Sequence, residues 1–253
     1  MSTRKQRRRK ASPVARVRPF WLLIAVLAAV AAGAGYWAAT WPGFFPGHVA
    51  VSGNRAVPAE EIAARAGIRA HENIWLQNTR AAAARVEQIP YIAAARVHRS
   101  LPANVRIDVT ERVPFAVLRY GPHAVVVDRD LRVLQTGEGA EALPAFAIAG
   151  DALPVPAVYI KDPNARRLRD DYGVLADAHV AAARLSFDRF GDLIVTMRGG
   201  VRLLLGDDAD LQQKATLVGP ILSQVAAQGR KIAAVDLRAP KTPVVVYKHN
   251  QRN

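Results

Sequence analysis

The chain contains no cysteine, which excludes disulfides, zinc–thiolate sites and a thiol nucleophile. It has no acidic residue before Glu60, and no Lys, Arg, Asp or Glu from Pro19 through Asn54. Motifs that carry chemistry are equally scarce. There is no Gly-x-Ser-x-Gly, no Walker loop and no Gly-x-Gly-x-x-Gly. His71-Glu72 lacks the second histidine of a zinc protease, and no histidine lies four residues from another. Asp207, Asp208 and Asp210 lack the Gly and Glu of a calcium loop and read as helix-cap carboxylates. The sequence therefore names no catalytic group, cofactor, metal site or small-molecule substrate, and the expectation is a protein that is not an enzyme.

What is present begins with charge. The formal net charge is +14, yet residues 1–18 hold eight Lys/Arg and no acid, so residues 19–253 carry only +6. In isolation the run "RKQRRRK", Arg4 to Lys10, suggests a nucleic-acid arm. No interleaving of aromatic and basic residues accompanies it, so no nucleic-acid partner is expected. Behind it comes "FWLLIAVLAAVAAGAGYWAA", Phe20 to Ala39, 20 residues without a charge. As a helix these rise about 30 Å, the thickness of a hydrocarbon core. Phe20, Leu22, Leu23, Ile24, Val26, Leu27 and Val30 together favour insertion by roughly 3 kcal/mol. Trp21, Tyr36, Trp37 and Trp41 lie near the two ends, where aromatic rings suit the membrane interface. The alternatives are a buried core helix, which is rarely apolar all round, and a signal peptide cleaved near Ala38-Ala39-Thr40. The long basic region and the 20-residue apolar core favour a retained anchor. Cations before the helix and none just after it predict a cytoplasmic amino terminus, with the bulk of the chain outside the cytoplasm.

"WPGFFP", Trp41 to Pro46, breaks the helix. Val49 to Val51 then reads as a short strand ending in the turn Ser52-Gly53-Asn54. Pro58, Glu60 and Glu61 open a helix that Gly67 stops. Asn78 caps a second helix, closed by Pro90, whose apolar face holds Ala82, Val86 and Ile89. "ARVHRS" and the turn Leu101–Asn104 lead to Val105, Ile107 and Val109, which alternate with Arg106, Asp108 and Thr110. A period of two means one face buried and one wet. The order is β-α-α-β-β, an α+β unit. The path from "VSGN" through Leu101-Pro102 to Glu111-Arg112-Val113-Pro114 resembles a POTRA domain of the FtsQ/DivIB type, the extracytoplasmic module of a family of bacterial cell-division proteins. Adjacent Glu111 and Arg112 read as a structural mark of that family and not as a site, the plainer alternative being a solvated surface pair worth little.

The remainder is rich in short strands. "HAVVVDRDLRVLQTG" gives two around the turn Asp128–Asp130, and "LPAFAIAGDALPVP" reads as a connection broken by Pro and Gly. Ala165 to Ala183 is a helix candidate. Strands follow at about 184–188, 192–197 and 201–205, then a helix from Asp208 or Asp210 to about Gln228, stopped by Gly229. "IAAVDLR" and "PVVVYK" close the chain, joined by Ala239–Thr242. "VRLLLG", Lys214 and Val235-Asp236-Leu237-Arg238 are similar to the β domain of the same family, while residues 138–165 match little. The expected organisation is a basic cytoplasmic tail 1–19, a transmembrane helix 20–40, a POTRA-like domain 48–115, a mostly β domain with two helices 116–248, and a short tail 249–253.

No strand is read after "PVVVYK", so one side of it is expected to be unpaired, and an open edge can receive a partner's strand. The resemblance implies that this region binds the FtsB–FtsL pair, with contacts at Val244, Val246, Tyr247 and Lys248. Tyr247 would be a rigid amphipathic anchor, and Lys248 would meet an acidic partner. The plainer alternative makes the valines core and Lys248 a solubilising charge. The resemblance further implies a non-enzymatic scaffold of the inner membrane at the division septum, joined to other division proteins through the POTRA-like domain. Two other readings stay open: a POTRA-containing polypeptide-transport or secretion component, and a membrane-anchored hydrolase of unrecognised type.

Overall fold

A computed structural model describes residues 18–137, 143–150 and 154–248. The basic run and almost all of the expected cytoplasmic tail lie outside the described residues, as do the short tail 249–253 and parts of the stretch 138–165. By their contacts the described residues divide into two compact units. One runs up to Ser52 and takes 58–85 and 96–108; the other takes 53–57, 86–95 and the residues from Val109 onward.

Helix α1, Arg18–Thr40, is the expected apolar helix. Its window Phe20–Thr40 has mean hydropathy 2.0, and none of it is buried in the protein. Among the described residues it is the one helix long and apolar enough to cross a membrane. It ends at Trp41-Pro42, and Pro42–Phe44 form a single 3₁₀ turn.

Strand β1, Val49–Ser52, is followed by α2, Ala59–Ala66, and α3, Thr79–Val86. Pro58 is the residue before α2 rather than its first, and Gly67 ends it in the left-handed conformation. Asn78 caps α3, its Oδ1 accepting from the Ala81 N–H at 3.0 Å. The helix stops at Val86, short of Pro90. Ala82, Val86 and Ile89 are all buried as their spacing predicts. Strands β2, Ile92–Ser100, and β3, Asn104–Glu111, complete a three-stranded sheet in the order β1-β3-β2, with β1 parallel to β3. Val105, Ile107 and Val109 are the buried face of β3. Gly53 needs its freedom: at φ +86° a Cβ would stand 2.1 Å from the Val109 carbonyl oxygen.

The other strands are β4, Ala116–Tyr120; β5, His123–Val127; β6, Val133–Thr136; β7, Ala145–Ile148; β8, Ala182–Phe187; β9, Leu193–Met197; β10, Arg202–Gly206; β11, Ile232–Asp236; and β12, Val244–Tyr247. They form one mixed sheet in the order β12-β11-β10-β9-β8-β7-β4-β5-β6. Helices α4, Pro163–Asp177, and α5, Leu211–Ala227, pack on it. Alternate sheet residues Leu118, Phe146, Leu185, Val195, Leu203 and Val235 meet Leu168, Leu175, Ala215 and Val218 of the helices in one core. The fold is therefore α+β as expected, with one difference in the sheet. "AFAI", expected within a broken connection, is β7 and lies parallel between β4 and β8. Four residues between Pro144 and Gly150 carry little strand signal of their own, and long-range pairing makes the strand. Helix α4 also ends earlier than Ala183. Asp162 caps its start, accepting from the Asn164 N–H at 2.7 Å, and His179, at φ 59°, turns the chain into β8.

Candidate partner-binding edge

Strand β12 pairs antiparallel with β11, with Val244 opposite Asp236, Val245 opposite Val235, Val246 opposite Ala234 and Tyr247 opposite Ile232. Among the described residues its other side is unpaired. The extra residue of a bulge lies in β11, so β12 alternates regularly. Val235 is fully buried in the core, which puts its cross-strand neighbour Val245 on the helix-covered face. Val244 and Val246 then share the opposite face, 58% and 49% exposed. They are not core.

Tyr247 does not join them. It stands on the Val245 side, half-buried, with the Arg230 guanidinium 3.3 Å from its ring centroid. Lys248 is exposed just past the strand, where its N–H donates to the Lys231 carbonyl at 2.8 Å. Of the four residues singled out in the sequence, the structure thus brings Val244 and Val246 together on one face, sets Tyr247 on the other, and leaves Lys248 exposed just past the strand. The sequence reading missed Arg230. Its signal was present in "GRK" before β11, but only the antiparallel register carries it to Tyr247.

The aspartate group resolves into separate structural roles. Asp207 accepts from Lys214 Nζ at 3.1 Å, and that lysine side chain is only 3% exposed. Asp208 lies 3.5 Å from Arg167. Asp210 precedes α5 but makes no side-chain cap bond, which differs from the expected cap, because its φ of 57° is left-handed rather than extended. Among the described residues no group of three or more His, Asp or Glu is placed to hold a metal ion.

Residues 46–112 match the family model for the POTRA domain of FtsQ type. The chain is 30% identical over 245 residues to the cell division protein FtsQ of Mycobacterium tuberculosis, covering 93% of this chain and 72% of that one. It belongs to the FtsQ family. The cell division protein FtsQ of Syntrophotalea carbinolica is 34% identical over 205 residues, 78% of this chain and 72% of its own. The Mycolicibacterium smegmatis protein of the same name is 30% identical over 201 residues, and the chain spans 56% of its length.

The FtsQ-type match ends at Arg112, and the plainer alternative for Glu111 and Arg112, a solvated surface pair, does not hold. Strand β3 ends at Glu111, and the two side chains take separate partners. The Glu111 carboxylate accepts from the backbone N–H groups of Arg55, Ala56 and Val57 at 2.9, 2.8 and 2.9 Å. Partial burial raises its pKa, but these three donors outweigh that and hold it below the ordinary glutamate value. The Arg112 guanidinium, 12% exposed, donates to Asp128 Oδ2 at 2.6 Å, and Asp128 is 7% exposed. Asp128 Oδ1 accepts from the N–H groups of Asp130 and Arg132, closing the turn between β5 and β6.

Proposed function

We propose that this protein is a non-catalytic scaffold of the bacterial division machinery. One helix anchors it in the cytoplasmic membrane, its amino terminus lies in the cytoplasm, and its folded part lies outside, at the septum. It acts by binding. The β12 edge receives a strand from an FtsB- or FtsL-like partner, and the POTRA module engages other division proteins. The observation that carries the binding reading is a sheet edge, unpaired among the described residues, that bears two neighbouring exposed valines, a surface that soluble proteins ordinarily protect. Charge supports it. From Arg230 to Lys248 the chain holds five cations and one acid, and that acid, Asp236, is held by Arg238 at 2.6 Å. The fitting partner segment is acidic, with alternate apolar residues to meet Val244 and Val246. The polypeptide-transport reading needs a long series of barrel-forming strands; here the residues after the POTRA module build one sheet with two helices packed on it.

The test is co-purification from membranes of wild type, Val244→Asp/Val246→Asp, and a deletion of Pro243 to Asn253. Both variants should lose FtsB- and FtsL-like proteins. Recovery of those proteins with either variant would remove the edge from the mechanism.

A further inference from the structure

The last turn of α1 is tied to the loop between α2 and α3. Asn73, 6% exposed, donates through Nδ2 to the Ala38 carbonyl at 3.1 Å, one of the terminal helix carbonyls that have no partner within the helix. Its Oδ1 accepts from the Trp75 N–H at 2.8 Å, and the Ile74 N–H donates to the Phe44 carbonyl at 3.0 Å. Beside these bonds opens an apolar groove of about 470 Å³, lined by Gly35, Ala38, Ala39, Trp75, Leu76 and Leu101. Leu76 and Leu101 are 73% and 72% exposed. Polar atoms around the groove are already used. Trp75 Nε1 donates to the Pro102 carbonyl at 3.0 Å. One Arg99 nitrogen donates to the carbonyls of Ile74, Trp75 and Gln77, and its guanidinium lies 5.3 Å from the Trp75 ring centroid.

We infer that Trp75, Leu76 and Leu101 insert into the outer face of the membrane that α1 crosses, with the acyl chains of its phospholipids filling the groove. The inference rests on the anchor reading of α1. Position carries it. The 21 apolar residues ending at Thr40 rise about 31 Å, so Thr40 lies at the edge of a hydrocarbon core about 30 Å thick. Gly35 and Ala38 line the groove within about 8 Å of that edge on its inner side, in the outermost layer of the hydrocarbon core. The groove is therefore continuous with the lipid-facing surface of the helix, and its two leucines point an uncompensated apolar surface into that layer. Trp75 has the form of an interfacial residue, with its N–H satisfied and its ring at the boundary. The nearby cations do not supply the attraction: Arg99 is committed to carbonyls and Arg69 pairs with Glu72 at 2.5 Å. Insertion is apolar and does not require anionic lipid.

The four tryptophans, Trp21, Trp37, Trp41 and Trp75, allow a direct test on the full chain. A W21F/W37F/W41F protein keeps Trp75 alone and a W21F/W41F/W75F protein keeps Trp37 alone. Both are placed in phosphatidylcholine vesicles with brominated acyl chains. Trp75 should lose emission to the bromines as Trp37 does, and should resist external iodide. Leu76→Asp/Leu101→Asp in the Trp75-only protein should reverse both results. Trp75 open to iodide and blind to bromine, with Trp37 quenched by bromine, overturns the inference while leaving the anchor intact. Both tryptophans blind to bromine overturns the anchor and the inference with it. Neither result bears on partner capture by β12.

Discussion

Arg112→Met removes a buried ion pair, together with a weaker bond to the Tyr159 hydroxyl at 3.2 Å. The substitution keeps an unbranched side chain of similar length and removes the cation. Asp128 keeps its two backbone donors from Asp130 and Arg132, but Oδ2 loses the bond at 2.6 Å and stays 7% exposed. A buried charge stripped of its partner costs about 3–5 kcal/mol. Arg112 Nε is itself buried without a partner, so the native pair is imperfect and the lower end of that range applies. At about 2–4 °C per kcal/mol for a protein of this size, the melting temperature should fall by roughly 6–12 °C. Circular dichroism of the full chain in mild detergent reads that shift. Arg112→Met/Asp128→Asn should recover part of the loss, because the neutral amide no longer needs the cation. A fall of less than about 2 °C in Arg112→Met would show that water reaches Asp128, and the reasoning from burial would be wrong.

Glu111→Ala should release residues 55–57, costing about 1–2 kcal/mol and removing hydrogen-exchange protection from their three amides. The depressed pKa means that this stabilisation is present above the ordinary glutamate pKa of 4.5 and fades as pH falls through the lower folded value, so Glu111→Gln should flatten the acid limb of the stability curve. Asp171 has the opposite sign. Burial, set against Arg167 and reinforced by Asp208 and Asp170, pushes its pKa from 3.8 to about 6, and its Oδ2 is buried without a partner. Stability should therefore decline as pH rises from 4 to 6 and stay lower above that, and Asp171→Asn should gain up to about 3 kcal/mol at pH 7 with little change at pH 4, measured by urea midpoints.

The elements legible in the sequence are those whose own residues decide them. The apolar run of α1 needs no neighbour to be read. Val105, Ile107 and Val109 alternate with polar residues because one face of β3 is covered and the other is wet. Helix α2 announces its end through Gly67, whose left-handed backbone suits glycine. Strand β7 was hidden because partners distant in the chain make it: Val117–Tyr120 on one side and Arg184–Ser186 on the other.

The β12 edge was legible as a strand but not as a surface. In "VVVY" three consecutive valines give no period, so nothing local says which of them faces solvent. The choice is made across the sheet, where buried Val235 fixes Val245 inward and thereby turns Val244 and Val246 out. Tyr247 follows Val245, which places the aromatic ring and the exposed valines on opposite faces of one strand. A partner strand added at the open side of β12 would continue both faces. Its inward row would meet Tyr247 under Arg230, and its outward row would meet Val244 and Val246. Two faces then have to be satisfied at once. That demands a partner segment apolar on one side and able to accept from Arg230 on the other, a narrower requirement than hydrophobicity alone.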